Sequence, residues 1–405
     1  MIKSMKIEIL PSRICGEIKA PPSKSIAHRA LICAALSRGG CRVQGVSDSD
    51  DMKATISCLC ALGAEIEKTG DTAYIKSGAK PQKEVTLDCL ESGSTMRFFI
   101  PLSLALGAEK ATFFGSERLI SRGVGAYEKL FAQKGVDIRV EKERIVACGT
   151  LVGGDYSVQV DQSSQFATGL MFALATLGGD STLKAEGKFE SRGYVDLTMD
   201  VMRKYGVDVR ERGNGEFFIP GGRGFVAKDF NVEGDWSNGA ILLAIGKTGG
   251  QVRVSGLNRD SVQGDKACES IFAMLEKENA VVDLSDCPDL APVAFVVAAE
   301  KNGATFTGTR RLKIKESDRA QTMADELAKY GAKVHVFDNS VVVEKSRLHA
   351  PCAELCGHND HRVVMSLAIL ATKYGGIIDG AQAVNKSFPD FFDKLRSVGA
   401  QINEL

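Results

Sequence analysis

The 405-residue sequence predicts an α/β (α+β) fold of two similar lobes, each made of three repeated α/β units packed around buried helices. Two internal patterns carry that prediction. In the first, an amphipathic helix ends in a turn residue and a strand follows. It reads "CLCALGAEIE", "LFAQKGVDIRV", "VMRKYGVDVRE", "MLEKENAVVDL", "ELAKYGAKVHV" and "KLRSVGAQINEL", turning at Gly63, Gly135, Gly206, Asn279, Gly331 and Gly399. Glycine, or asparagine as the next best, is what a left-handed helix C-cap takes. In the second pattern a polar start leads into a helix that is apolar nearly all round, then a glycine and a short strand. Such helices are buried, and these are shorter than the roughly 20 apolar residues that span a bilayer. Six units exceed one core, so three and three is the natural split.

The elements follow in order. Ile7 and Ile9 alternate in "MIKSMKIEIL", which predicts a first strand and has no apolar signal core. The buried helices begin "SKSIAHRALICAAL", "SGSTMRFFIPLSLAL", "SSQFATGLMFALATL", "DWSNGAILLAIG", "PDLAPVAFVVAA" and "NDHRVVMSLAIL". Their strands are "CRVQGVS", "ATFFGSE", "STLKAEG", "QVRVSGL", "ATFTGTR" and "IIDGA". The third unit ends near "GGRGFVAKDF" and the fourth begins near "VEGDWSN", which puts a lobe boundary around residue 231.

The formal net charge is +0, so bulk electrostatics favour neither nucleic acid nor an anionic membrane. Any anion must be met by local clusters. The eleven cysteines are scattered and odd in number, which fits a reducing compartment with free, mostly buried thiols. The composition is that of a soluble cytoplasmic protein.

The starts of the buried helices are rich in Ser, Thr, Asp, Lys and Arg. Ordinary capping accounts for Ser23, Ser94, Ser163, Asp235 and Asp360. It does not account for Lys24, Arg29, Arg97 and Arg362, because a cation at a helix start opposes the dipole. A cation there makes sense when an anion sits between it and the helix end. "RLKIKESDR" (311–319) packs six charged residues into nine, just before a helix that Asp318 can cap. Beside Lys315 and Arg319, Glu316 is expected to stay ionised and poised for proton traffic. The bland alternative is a surface ion-pair cluster of little energy.

"SKSIAHR", "SGSTMR", "SSQ", "RLKIKESDR" and "NDHR", in their order along the chain, resemble the EPSP synthases, the 3-phosphoshikimate 1-carboxyvinyltransferases of the enolpyruvyl transferase family. The resemblance runs from about Pro21 to Phe392. It implies the inside-out, α/β barrel-like two-lobe fold of that family. The lobes are then 22–231, on the shikimate 3-phosphate side, and 1–21 plus 232–405, on the phosphoenolpyruvate and acid/base side. The implied reaction moves the enolpyruvyl group of phosphoenolpyruvate to the 5-hydroxyl of shikimate 3-phosphate by addition and elimination, releasing phosphate. No metal and no organic cofactor are implied. The implied partners are the two small-molecule substrates, without nucleic acid or membrane, and a monomer is expected.

Carried over residue by residue, Lys24, Gly93, Arg122, Lys315, Arg319, Arg362 and Lys386 would surround phosphoenolpyruvate. Lys24, Ser25, Arg29, Ser163, Ser164, Gln165, Tyr194, Asp289 and Lys315 would hold shikimate 3-phosphate. Asp289 is the implied base of the addition step and Glu316 the implied acid toward the methylene carbon, with Lys24 at the bridging oxygen. Glu91, Ser92 and Phe98 depart from the common Asn-Ala-Gly-Thr-Ala-Met-Arg-Pro pattern, which puts glyphosate sensitivity in doubt more than activity. Arg311 stands where an amide is common.

Cys352, Cys356, His358 and His361 crowd "PCAELCGHNDH" but lack the paired spacing of a zinc site. "CLC" (58–60) is expected in the core. Trp236 is a capping or cleft residue on sequence alone. The rival readings are the related transferase acting on UDP-N-acetylglucosamine, a non-catalytic anion-binding protein on the same scaffold, and, most weakly, a zinc hydrolase. "GSERLISRGV" has no cysteine of the kind the first rival uses, and pure anion binding would not need Asp289 and Glu316.

Overall fold

The computed structural model describes residues 5–405. The chain divides into two compact units, Pro22–Glu233 and the residues up to Pro21 together with Gly234–Leu405. The division falls after Glu233 because strand Phe230–Asn231 belongs to the first unit, where it pairs in parallel with Cys41–Gln44.

One local plan recurs. A strand leads into a buried helix, the next strand lies parallel to the first, and a hairpin completes the sheet. Glu84–Asp88 pairs in parallel with Lys110–Phe114 across the helix Gly93–Ala105, and Arg144–Cys148 and Asp137–Val140 follow antiparallel. The same strand order appears in five four-stranded sheets among the described residues. Two of them are closed by strands distant in sequence. Phe230–Asn231 heads the sheet of the first repeat, and Lys6–Leu10 lies between Gly376–Asp379 and Gln401–Glu404 in the last. The fourth repeat is reduced to Gln251–Ser255 against Cys15–Lys19. It has no hairpin: after Asn279 the chain goes directly into Val281–Asp283, the first strand of the next sheet. That explains the short spacing between Asn279 and Gly331.

All six predicted turn residues have left-handed backbones, Asn279 included at φ 54°. The six apolar helices are buried, and every residue from Ala291 to Ala299 is inaccessible. Each unit has its own hydrophobic cluster. In the first, helices Gly93–Ala105 and Gln165–Thr176 meet almost backbone to backbone. A Cβ on Gly169 would sit 2.4 Å from the Arg97 carbonyl and 2.5 Å from Tyr127 Oη. The buried Tyr127 hydroxyl donates to the carbonyls of Arg97 and Phe166, stitching the two helix starts together.

Three expectations need correction. Only five of the eleven free cysteines are buried, and Cys15, Cys60 and Cys352 are exposed. Cys60 turns outward on the amphipathic helix Asp50–Ala61, so Cys58 and Leu59 of "CLC" are core and Cys60 is not. Trp236 lies in the core, its indole N–H donating to the Asn258 carbonyl. Among the described residues, no helix is long and apolar enough to cross a membrane.

Candidate active site

The buried helices carry their polar starts as follows. Ser23, Ser92 and Asp235 each accept a hydrogen bond from a backbone N–H in the first helical turn, and Asp360 accepts from Arg362 N. Ser92 caps its helix, not Ser94. Ser164 occupies the N-cap position of the third helix, while Ser163 Oγ accepts from Gln165 N at 3.2 Å. Ser94 is thereby released from the capping role that pattern suggests, whereas Ser163 still meets the first N–H of its helix.

In Pro22–Glu233, Lys24 Nζ meets Asp51 Oδ2 at 2.5 Å, and both side chains are mostly buried. Arg29 is buried and largely spent on protein. Its Nε donates to Thr198 Oγ1, Nη1 to the Ser25 carbonyl and Nη2 to the Tyr194 carbonyl. Burial lowers its pKa to about 10, and its guanidinium lies over the Phe98 ring. Arg29 thus braces Ser25 and Tyr194 through their backbones.

The second helix start gathers cations around a glycine. A Cβ on Gly93 would lie 3.0 Å from Arg122 Nη1 and 3.1 Å from Arg97 Nη1. Two guanidinium groups therefore converge on bare backbone. Arg97 Nη1 donates to Gln165 Oε1 at 2.8 Å, and Gln165 Nε2 donates to Ser94 Oγ at 2.9 Å. Arg122 Nε is buried and meets no hydrogen-bond partner. Like charges gathered at a helix start, with a buried donor unused, have the chemistry to take an anion.

A polar chain lies beneath. Thr95 donates its hydroxyl and its N–H to Ser92 Oγ, Thr55 Oγ1 lies 2.8 Å from Thr95 Oγ1, and His28 Nδ1 lies 2.7 Å from Thr55 Oγ1. With the Thr95 proton given to Ser92, Thr55 donates to Thr95 and accepts from His28 Nδ1–H. Burial, with Lys24 and Arg29 nearby, holds the His28 imidazole well below its usual pKa, so it stays neutral.

In the other unit Arg319 is the hub. Its side chain is 1% exposed, yet it binds three carboxylates. Nη1 meets Asp289 Oδ1 at 2.7 Å, Nη2 meets Glu316 Oε2 at 2.8 Å, and Nε meets Asp360 Oδ2 at 2.9 Å. Lys315 Nζ lies 3.3 Å from Asp289, and the Glu316 charge also acts on it. Asp318 caps the helix that presents Arg319. Arg362 Nη1 donates to Asn238 Oδ1, and its Nε is buried without a partner. Lys386 Nζ donates to the Asn359 carbonyl at 2.6 Å.

Electrostatics separate the carboxyl groups. Burial alone would raise the Asp289 pKa, but Lys315, Arg319 and Arg362 outweigh it and hold the group well below the usual carboxylate range. Burial, helped by Arg319 and Arg311, lowers the Lys315 ammonium despite Asp289. Asp265 goes the other way. Burial and the nearby Asp289 charge push it to about 6, while the Ser237 hydroxyl donates to it.

Every residue that sequence reasoning assigned to a site lies at or near a helix start or in the Arg319 cluster. Lys24, Ser25, Arg29, Gly93, Arg122, Ser163, Ser164, Gln165 and Tyr194 fall in one unit. Asp289, Lys315, Glu316, Arg319, Arg362 and Lys386 fall in the other. Sequence reasoning missed Asp51, His28, Thr55, Thr198 and Asp265, and it read Asp360 as a cap alone. The acidic run "SDSDD" was the available signal for Asp51. His358 Nε2 meets Glu326 Oε1. Among the described residues, no three His, Cys, Asp or Glu side chains are grouped to hold a metal.

A family model described as EPSP synthase (3-phosphoshikimate 1-carboxyvinyltransferase) matches residues 10–395. The chain belongs to the EPSP synthase family. Among its relatives in that family, the 3-phosphoshikimate 1-carboxyvinyltransferase of Clostridium kluyveri is 38% identical over 421 residues, covering 98% of each chain. That of Clostridium novyi is 37% identical with the same coverage. The EPSP synthase fold recurs in a solved structure from Acinetobacter baumannii, with TM-score 0.81, 22% identity, and 99% of this chain and 100% of that one covered. The enolpyruvyl transferase NikO from Streptomyces tendae shares it at TM-score 0.75 and 16% identity, with 99% and 98% covered.

Proposed function

We propose that this chain transfers the enolpyruvyl group of phosphoenolpyruvate to the 5-hydroxyl of shikimate 3-phosphate, releasing phosphate, as a cytoplasmic and monomeric enzyme of the shikimate pathway. Family membership supports the reaction. The observation that carries the mechanism is Arg319, a buried cation shared by Asp289 and Glu316, with Lys315 reaching the same Asp289 oxygen.

Asp289 takes the proton of the 5-hydroxyl as that oxygen attacks C2 of phosphoenolpyruvate. Glu316 delivers a proton to C3, giving a tetrahedral adduct with a methyl group. Glu316, now a carboxylate, then takes a methyl proton back as the C2–O bond to phosphate breaks, with Lys24 protonating the departing bridging oxygen. At rest Asp289 is too strongly held by cations to be a good base. The anionic groups of the substrates offset Lys315, Arg319 and Arg362, which raises the basicity of Asp289 and lets Glu316 carry a proton. Gly93, Arg122, Lys315, Arg319, Arg362 and Lys386, with Lys24, take the phosphate and carboxylate of phosphoenolpyruvate. Ser25, Ser163, Ser164, Gln165 and Tyr194 take shikimate 3-phosphate, and Arg29 holds Ser25 and Tyr194 in place.

Phosphate release from phosphoenolpyruvate tests the acceptor. Release is expected with shikimate 3-phosphate and absent with UDP-N-acetylglucosamine. Release with the sugar nucleotide alone would move the chain to the rival transferase, and release with neither would leave an anion-binding protein.

A further inference from the structure

"PCAELCGHNDH" has the look of a metal cluster, but the fold uses it as a strained turn. Between strand Leu355–Cys356 and helix His361–Tyr374 the backbone passes through His358 at φ 48° and Asn359 at φ 52°. Two successive side-chain-bearing residues in the left-handed region are unfavourable, and they persist only where the surroundings hold them.

The holder is Glu326. It lies two turns after Arg319 on the same helix, and its side chain is 2% exposed. Oε2 accepts from Cys356 N at 2.9 Å, and Oε1 meets His358 Nε2 at 3.0 Å. Lys329 Nζ reaches both oxygens, at 2.9 and 2.8 Å. One buried carboxylate thus clamps the turn by its backbone and by its imidazole.

What leaves this turn is the site itself. The Asn359 carbonyl accepts from Lys386 Nζ. Asp360 accepts from Arg319 Nε, Ser317 Oγ and Arg362 N. The helix carrying Arg362 starts in the next residue. The same helix, Arg319–Lys329, therefore provides the hub arginine at one end and the clamp at the other.

We infer that Glu326 is a positioning residue for phosphoenolpyruvate. By holding the His358–Asn359 turn in its left-handed form, it sets Lys386, Arg362 and Asp360 around Arg319. The inference rests on the assignment of those cations to phosphoenolpyruvate above. Displacing a turn of this kind weakens binding and alignment of the one ligand it serves, by about tenfold.

Steady-state kinetics with both substrates, alongside thermal unfolding, test it. Glu326→Ala is expected to raise KM for phosphoenolpyruvate about tenfold and leave KM for shikimate 3-phosphate within about twofold. Glu326→Gln keeps an acceptor for Cys356 N and is expected to lose less. Adding His358→Gly to Glu326→Ala is expected to recover at least half of the loss on a logarithmic scale. With Glu326→Ala alone the imidazole has lost its carboxylate, whereas glycine at 358 needs no such contact and accepts the left-handed backbone unaided. Should Glu326→Ala fail to fold, Glu326→Gln with and without His358→Gly gives the same contrast. The inference is overturned if KM for phosphoenolpyruvate stays within about twofold of wild type. It is equally overturned if both KM values rise together with a lowered Tm, or if glycine restores nothing. Wild-type turnover of shikimate 3-phosphate, measured alongside, checks the underlying assignment separately.

Discussion

At the scale of single residues, space and charge decide. Gly93 faces two guanidinium groups at 3.0 and 3.1 Å from where a Cβ would be. Gly93→Ala forces Arg122 to retreat, and the expected result is a rise of about tenfold in KM for phosphoenolpyruvate with a much smaller change for shikimate 3-phosphate. Asp265 makes a different prediction. Its pKa rises from 3.8 to about 6 on burial. Between those values the folded state binds more protons than the unfolded one, so this group's contribution to stability falls as pH rises, by roughly 3 kcal/mol in all. Asp289 acts oppositely. Its lowered pKa contributes stability above the ordinary carboxylate range that is lost as pH falls below it. Asp265→Asn is therefore expected to flatten the decline between about pH 4 and 6 and raise Tm at neutral pH. Unfolding curves across pH read this directly, and an unchanged profile would contradict it.

At the scale of elements, the tightest joint is the crossing of Gly93–Ala105 with Gln165–Thr176. A methyl group at Gly169 would overlap the Arg97 carbonyl and Tyr127 Oη. Gly169→Ala is expected to destabilise the protein by about 1–3 kcal/mol, seen as a lower denaturant midpoint. It also disturbs Arg97 and with it Gln165. Caps illustrate what was legible in sequence. Asp235, Asp318 and Asp360 cap as their position suggests. Ser23 caps as read, but the other two serine-rich starts were off by one or two residues, because neighbouring hydroxyls compete and only backbone geometry decides. Ser92 wins over Ser94 because its Oγ reaches Thr95 N. The glycine turns were plain because few residues accept a left-handed backbone.

At the scale of the whole molecule, repetition was readable and closure was not. Six helix starts and six turns give the units, since their patterns are local. Nothing local tells that Lys6–Leu10 is an inner strand of the last sheet, or that Cys15–Lys19 replaces a strand of the fourth repeat. Pairings over such separations depend on the complete fold, and here family resemblance carried that expectation. Distant pairs in the site were hidden for the same reason. Arg319 and Glu316 are neighbours in sequence, whereas Asp289 and Asp360 reach Arg319 only through the fold. The arrangement also predicts fragment behaviour. Pro22–Glu233 is continuous and owns a core, so it is expected to unfold cooperatively alone. A 234–405 fragment lacks Ile7, Ile9, Ile14 and Ile18 of its core and is expected to fold only when residues 1–21 are supplied. Circular dichroism of the separate fragments checks both.

In the proposed reaction, two carboxylates on one buried arginine divide the proton work of enolpyruvyl transfer. Turnover of phosphoenolpyruvate and shikimate 3-phosphate in deuterium oxide, followed by proton NMR, tests it most directly. The wild-type product is expected to carry deuterium in its vinyl group, because C3 gains a solvent-derived deuteron from Glu316 and then loses a hydron. Glu316→Gln is expected to lower turnover and deuterium incorporation together, by about a hundredfold or more. Wild-type-like deuterium incorporation in Glu316→Gln, or a product formed without deuterium by the wild type, would rule out Glu316 as the acid.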